Sequence, residues 1–150
     1  MSNLTSAPSS PALRRPGTPV VIGGLLAAAA ASSIVEAAIA ALARAAGASD
    51  DFQPLQASAF IFFTVMGLVI GAIGWSIVRR SSKDPESLLR KLVPAVVVVS
   101  FIPDLAMLVS DYTPHADAVG VIALLVMHVV VAAAAVFTFH KILPLDVASK

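Results

Sequence analysis

The amino-acid sequence predicts an all-α integral membrane protein, a bundle of four transmembrane helices. Of its 150 residues, 58% are hydrophobic and 13% are charged, whereas a soluble domain of this length usually carries about 25% charged residues. The apolar residues form four runs, each close to the roughly 20 helical residues that cross a bilayer core. Because an α-helix satisfies its own backbone hydrogen bonds in lipid, we expect each run to be helical.

The chain divides into a tail, a membrane domain and a second tail. Residues 1–19 are rich in Ser, Pro and Thr, a composition that predicts a disordered tail. Residues 20–143 form the predicted domain, with spans at about 20–46, 57–78, 92–110 and 118–140. Residues 144–150 form the second tail. Polar connectors separate the spans, and Pro94 and Pro103 interrupt the third.

The basic residues predict the orientation. In a four-span arrangement one side of the membrane carries nearly all of them: Arg14, Arg15, Arg79, Arg80, Lys83, Arg90, Lys91, Lys141 and Lys150. Arg44 lies near the other side, which also carries Asp50, Asp51, Asp111 and Asp117. Short cytoplasmic loops are enriched in Lys and Arg. The pattern therefore predicts that both tails are cytoplasmic.

The first span has an alternative interpretation. A basic tail, an apolar stretch and the small residues 27–33, AAAAASS, also resemble a secretory signal with its cleavage site. Cleavage near Ala31 would leave three helices and a reversed amino-terminal side. The length of residues 20–46 favours a span, and both interpretations stay open.

Three titratable residues lie at similar predicted depth. Glu36, Asp104 and His128 come from three different spans, each within about one helical turn of the same level at 1.5 Å per residue. A charge at the centre of a membrane helix is costly, so such residues usually face the protein interior and pair with one another. Ser32 and Ser100 lie one turn before the two acids. The sequence therefore predicts a buried polar cluster of these five residues.

Three roles are compatible with this cluster. It could fix the register of the helices, it could relay protons or cations, or it could form a catalytic or metal site. The chain has no cysteine and no HExxH pattern, which leaves no recognisable metal or nucleophile signature. We therefore expect no enzymatic activity, no cofactor and no metal site.

The second span is predicted to be a packing helix. Gly67, Gly71 and Gly74 lie on one side of it with Thr64, and Gly67 and Gly71 form a GxxxG pair. Small residues at this spacing let two membrane helices approach closely. We expect a homo-oligomer to form through this face.

Three segments carry a resemblance to a known family: GWSIVRR at the end of span two, SFIPD in span three and LLVMHVVVAAAAV in span four. From Val20 to Leu143 the chain resembles a bacterial family of small four-span membrane proteins grouped as a domain of unknown function. The resemblance implies a multi-pass protein of the bacterial inner membrane and assigns no catalytic residue. In general layout the chain is also similar to the small multidrug-resistance transporters, which have a glutamate in the first of four helices, although it lacks their GxxxG in span four.

These observations predict an integral membrane protein with a structural or accessory role. The alternative is a small proton-coupled transporter or channel that uses Glu36, Asp104 and His128, for which the sequence does not specify a small-molecule or ion substrate. The expected partners are the lipid bilayer and further copies of the chain. A net charge of +1 gives no reason to expect nucleic acid as a partner.

Overall fold

A computed structural model describes residues 17–110 and 112–145. Within them the chain forms four α-helices and no strand, which confirms the all-α prediction: α1, Thr18–Ala45; α2, Ala57–Ser81; α3, Pro85–Ala106; and α4, Ala118–Ile142. A short 3₁₀ turn, Gln53–Leu55, precedes α2. The described residues leave out residues 1–16, Asp111 and residues 146–150. The predicted disorder of residues 1–19 and most of the second tail therefore lie outside them.

Three of the helices, α1, α2 and α4, are long and apolar enough to cross a membrane. The third helix differs because it carries Arg90 and Lys91 near its start and Asp104 near its end. Its uncharged part, residues 92–103, spans only about 18 Å as a helix, against a hydrocarbon core of about 30 Å. The four crossings therefore stay a prediction.

The third helix begins at Pro85, whereas the third span was predicted from residue 92. The Asp84 side chain caps it by accepting a 3.1 Å hydrogen bond from the Ser87 backbone N–H, and Pro85 occupies the first turn. Both are favoured at a helix start. As a result, the polar segment after α2 continues directly into α3. The helix ends at Ala106, soon after Pro103.

The helices pack around α4, which contacts each of the other three, while α3 contacts α4 and α2. Two hydrophobic clusters form the core. The first lies near the connector between α1 and α2 and includes Ala40, Phe52, Phe60 and Met127. The second lies at the basic end, where it includes Ala28, Leu68, Trp75, Leu89 and Phe139.

Two close contacts fix the two ends of the domain. The ring of Phe52 is fully buried and lies so close to Gly120 that a Cβ there would be 2.7 Å from Cδ1. The connector between α1 and α2 turns at Gly47 before it reaches Phe52, and the φ of +105° at this residue is readily adopted by glycine. At the other end Trp75 Nε1 donates a 3.0 Å hydrogen bond to the Leu143 carbonyl.

The outer surface of the helices is strongly apolar. Ile34 and Leu42 on α1 are each 71% exposed, and large apolar side chains such as Ile70, Ile102 and Ile122 are exposed on the other helices. Contiguous exposed apolar surface of this kind would be a liability in water. In a bilayer, an apolar surface of this kind is the one that a helical membrane protein is expected to turn toward the lipid.

Candidate functional site: two buried carboxyl pairs

Glu36 forms the first polar pair, with Thr64. Both side chains are 3% exposed. The Thr64 hydroxyl donates toward the carboxyl group, lying 2.7 Å from Oε1 and 2.8 Å from Oε2. The pair links α1 to α2. On α1, Glu36 lies between Ala40, which belongs to the first hydrophobic cluster, and Ala28, which belongs to the second. Thr64 lies between residues of the same two clusters on α2.

Asp104 forms the second polar pair, with His128. The Asp104 Oδ2 atom lies 3.1 Å from His128 Nδ1, and the pair links α3 to α4. The two side chains differ in exposure, since that of Asp104 is 7% exposed and that of His128 is 38% exposed. The Phe101 ring packs edge-on against the imidazole, with 6.3 Å between ring centroids.

The proton on His128 Nδ1 has another acceptor. Nδ1 lies 2.9 Å from the Leu124 carbonyl oxygen, and a carbonyl oxygen can only accept, so Nδ1 carries the proton and donates it there. Among the described residues, Asp104 Oδ2 consequently has no hydrogen-bond partner, although it is buried. The contact between Asp104 and His128 is therefore a close polar contact rather than a well-directed hydrogen bond.

The three titratable residues of the predicted cluster thus belong to two pairs, Glu36 with Thr64 and Asp104 with His128. His128 lies within electrostatic range of both carboxyl groups, but the hydrogen-bond partner of Glu36 is Thr64. In the described part of the chain, no three His, Cys, Asp or Glu side chains are grouped closely enough to hold a metal ion. The two acids are held by different helix pairs.

The two serines of the predicted cluster make no hydrogen bond to either acid. Ser32 is 1% exposed, and its hydroxyl has no partner among the described residues. Ser100 donates a 2.7 Å hydrogen bond to the Val97 carbonyl of its own helix, a common arrangement for serine within a membrane helix.

The glycines of α2 lie along the border of its packed face, and only Gly71 of the three contacts another helix. A Cβ at Gly71 would be 3.2 Å from the Phe139 ring, so Gly71 faces α4. Gly67 and Gly74 are exposed, and a Cβ at either would meet nothing within 4 Å. The face that packs within the chain instead carries Thr64, Leu68, Ala72 and Trp75. Sequence reasoning grouped Thr64 with the glycines and therefore missed it as the partner of Glu36.

Among the described carboxylates outside the helices, Asp117 accepts the most hydrogen bonds. Its Oδ1 accepts a 2.7 Å hydrogen bond from the Gly120 N–H, and its Oδ2 accepts one of 2.9 Å from the Ser49 N–H. Partial burial raises the pKa of Asp117, but the backbone hydrogen bonds from Gly120, Ser49 and Val119 outweigh burial and lower the pKa below its usual range. Asp117 thereby ties the first connector to the start of α4.

The helices and buried pairs describe a small all-α protein with three helices able to cross a membrane. The sequence pattern that defines a family of unknown function, DUF6069, matches residues 16–144. The chain belongs to this family, which confirms the resemblance to a domain of unknown function. Comparisons with curated proteins and with solved structures give no match.

Proposed function

We propose that the protein is a multi-pass membrane protein with a structural or accessory role, in which the two carboxyl pairs hold neighbouring helices together. The observation that carries this proposal is that each acid has its partner on a different neighbouring helix. Glu36 links α1 to α2, whereas Asp104 links α3 to α4. Polar side chains that bridge neighbouring helices in this way stabilise helix association.

The packing of α3 supports this role. The buried residues of α3 are Leu89, near its start, and Asp104, near its end. Leu89 joins the hydrophobic cluster at the basic end, so Asp104 is the buried contact that holds the opposite end of the helix. A polar contact in lipid stabilises helix association by about 0.6–2 kcal/mol. That amount matters for a helix with so little buried surface.

Transport of protons or cations is the second candidate, and one observation favours it. His128 is partly exposed and lies beside a buried carboxyl oxygen that has no hydrogen bond in the described residues. A pair of this kind could take up a proton from outside the chain. Intramembrane acids often belong to such pathways. We propose that the protein has no enzymatic activity.

Proton flux and stability separate the two candidates. The protein would be reconstituted in liposomes, with a pH-sensitive dye inside, and compared with Asp104→Asn and Glu36→Gln. The structural role predicts background flux for all three proteins, and a lower unfolding free energy in detergent for the variants. A flux above that of empty liposomes, lost in Asp104→Asn, would establish transport and reject the structural role.

The membrane arrangement proposed here is a bacterial inner-membrane protein with four crossings and both tails in the cytoplasm. The chain has no native cysteine, so single cysteines can be labelled without background. Lys83 and His115 are exposed at opposite ends of α3. If α3 crosses the membrane, a membrane-impermeant maleimide added to intact cells labels His115→Cys and spares Lys83→Cys. Labelling of both positions, or of neither, would reject this arrangement.

A further inference from the structure

We propose that the groove between α3 and α4 binds an anionic phospholipid, with one acyl chain along its apolar walls and the phosphate at Lys141. The groove has a volume of about 670 Å³. Val93 and Val97 line it on α3, and Val129, Ala133, Phe137 and Lys141 line it on α4. This binding is independent of the role proposed for the carboxyl pairs, since neither pair lines the groove.

The length of the groove fits one leaflet. Its residues on α4 recur every four positions from Val129 to Lys141, which places them in one stripe about 18 Å long. One leaflet supplies about half of the roughly 30 Å hydrocarbon core. An acyl chain that enters from the end at Lys141 would therefore run along most of this stripe.

The charge at the end of the groove identifies the headgroup. His140 and Lys141 lie at that end, after walls that are otherwise apolar. The Lys141 ammonium lies 4.0 Å from the centroid of the Phe137 ring, so a cation–π contact holds it at the mouth of the groove. A cation at the end of an apolar groove complements a lipid phosphate that carries net negative charge.

A second groove repeats this arrangement between α1 and α2. It has a volume of about 340 Å³ and is lined by apolar residues that include Leu25, Val69 and Ile73, with Arg80 also lining it. Arg80 lies in the last turn of α2, and Lys141 in the last turn of α4. Basic residues near the surface of a membrane attract anionic lipids, each contributing about 1 kcal/mol. The described part of the chain therefore shows this pairing of groove and cation at two places.

Native mass spectrometry of the full chain in detergent tests the proposal. Dioleoyl phosphatidylglycerol and dioleoyl phosphatidylcholine have the same acyl chains and differ in net charge. We expect phosphatidylglycerol to bind more tightly, and Lys141→Gln to weaken it by about fivefold. The matched control is Lys83→Gln, which removes a cation from the loop before α3 and away from the groove.

A second variant tests the apolar walls. Ala133 is exposed within the groove, so Ala133→Phe should fill part of it and weaken phosphatidylglycerol binding while the helices stay folded. Ala30→Phe places the same ring on an exposed position of α1 outside both grooves and should leave binding unchanged.

Three results would overturn the proposal. Equal binding of the two lipids would mean that charge plays no part. Equal effects of Lys141→Gln and Lys83→Gln would mean that the groove plays no part. A dimer that forms without lipid and is lost in Ala133→Phe would mean that a second copy of the chain occupies the groove.

Discussion

Glu36 and Asp104 are similarly buried but have different partners. Glu36 is paired with Thr64, a hydroxyl as buried as the acid itself, and the pair is closed by hydrogen bonds. Asp104 is paired with His128, whose side chain is 38% exposed and whose Nδ1 proton is donated to a carbonyl. The first pair is buried on both sides and closed by hydrogen bonds. The second joins a buried carboxyl group to a partly exposed imidazole without a well-directed hydrogen bond.

The largest loss of unfolding free energy should come from removing the hydrogen bonds between Thr64 and Glu36. Thr64→Val keeps the shape of the side chain but leaves the Glu36 carboxyl without its donor. A buried group left unsatisfied costs about 1–3 kcal/mol, so we expect the unfolding free energy to fall by that amount. The measurement is unfolding by sodium dodecyl sulfate in mixed micelles, followed by circular dichroism. Thr64→Ser retains the hydroxyl and should lose much less; equal losses in the two variants would contradict the pair.

Removal of the exposed partner should have a smaller effect. His128→Phe removes the imidazole next to Asp104 but keeps an aromatic ring beside Phe101. Since the contact is not a directed hydrogen bond, we expect a loss at the lower end for polar contacts in membranes, about 0.6 kcal/mol. The same unfolding measurement applies. A loss larger than that of Thr64→Val would reverse the ranking of the two pairs.

A third carboxylate, Asp117, sharpens the comparison because it lies outside the helices. Its helix-capping bonds should contribute about 1 kcal/mol, as measured by Asp117→Ala. Its pKa is depressed in the folded protein, so this contribution is complete above the usual carboxyl pKa of about 3.9. The contribution is lost as the pH falls through the lower folded value.

The predicted observation is therefore a difference between wild type and Asp117→Ala that is constant near neutral pH and shrinks below about pH 4. Thermal unfolding in detergent at several pH values measures it. Asp51→Ala removes an exposed aspartate from the neighbouring connector and serves as the control. A difference that is unchanged at low pH would contradict the role of the ionised cap.

A small gain in stability, rather than a loss, is expected on the outward face of α2. Gly67→Ala meets no atom within 4 Å inside the chain, and alanine favours a helix over glycine by about 0.5–1 kcal/mol. The monomer should therefore become slightly more stable. If Gly67 mediates a homo-oligomer, the same variant should reduce the oligomer fraction seen by crosslinking in membranes. Gly24→Ala is the contrasting variant: its Cβ would lie 2.6 Å from Ile142, so it should destabilise the monomer.

The sequence contained enough information to predict the helices but not their rotation. Long apolar runs define α1, α2 and α4, and the position of Glu36, Asp104 and His128 along their helices predicts a similar depth in the membrane for all three. Depth alone does not determine which neighbour each side chain faces. Glu36 therefore proved to face Thr64, a residue that had been grouped with the outward Gly67.

The third helix was harder to predict for a different reason. Its first turns are polar and were separated from the apolar run, although the cap at Asp84 starts one continuous helix at Pro85. A capping residue followed by proline is visible in the sequence. Hydropathy defines the apolar run from residue 92 and does not report that this run belongs to the helix that begins at Pro85.

Double-mutant cycles on the unfolding free energy test the central claim most directly. The claim is that each acid holds its own helix pair and that the two acids do not share a site. It predicts coupling of about 0.6 kcal/mol or more between Glu36→Gln and Thr64→Val, and additive effects for Glu36→Gln with Asp104→Asn. Strong coupling between the two acids, with none between Glu36 and Thr64, would contradict it and support the single cluster that the sequence predicts.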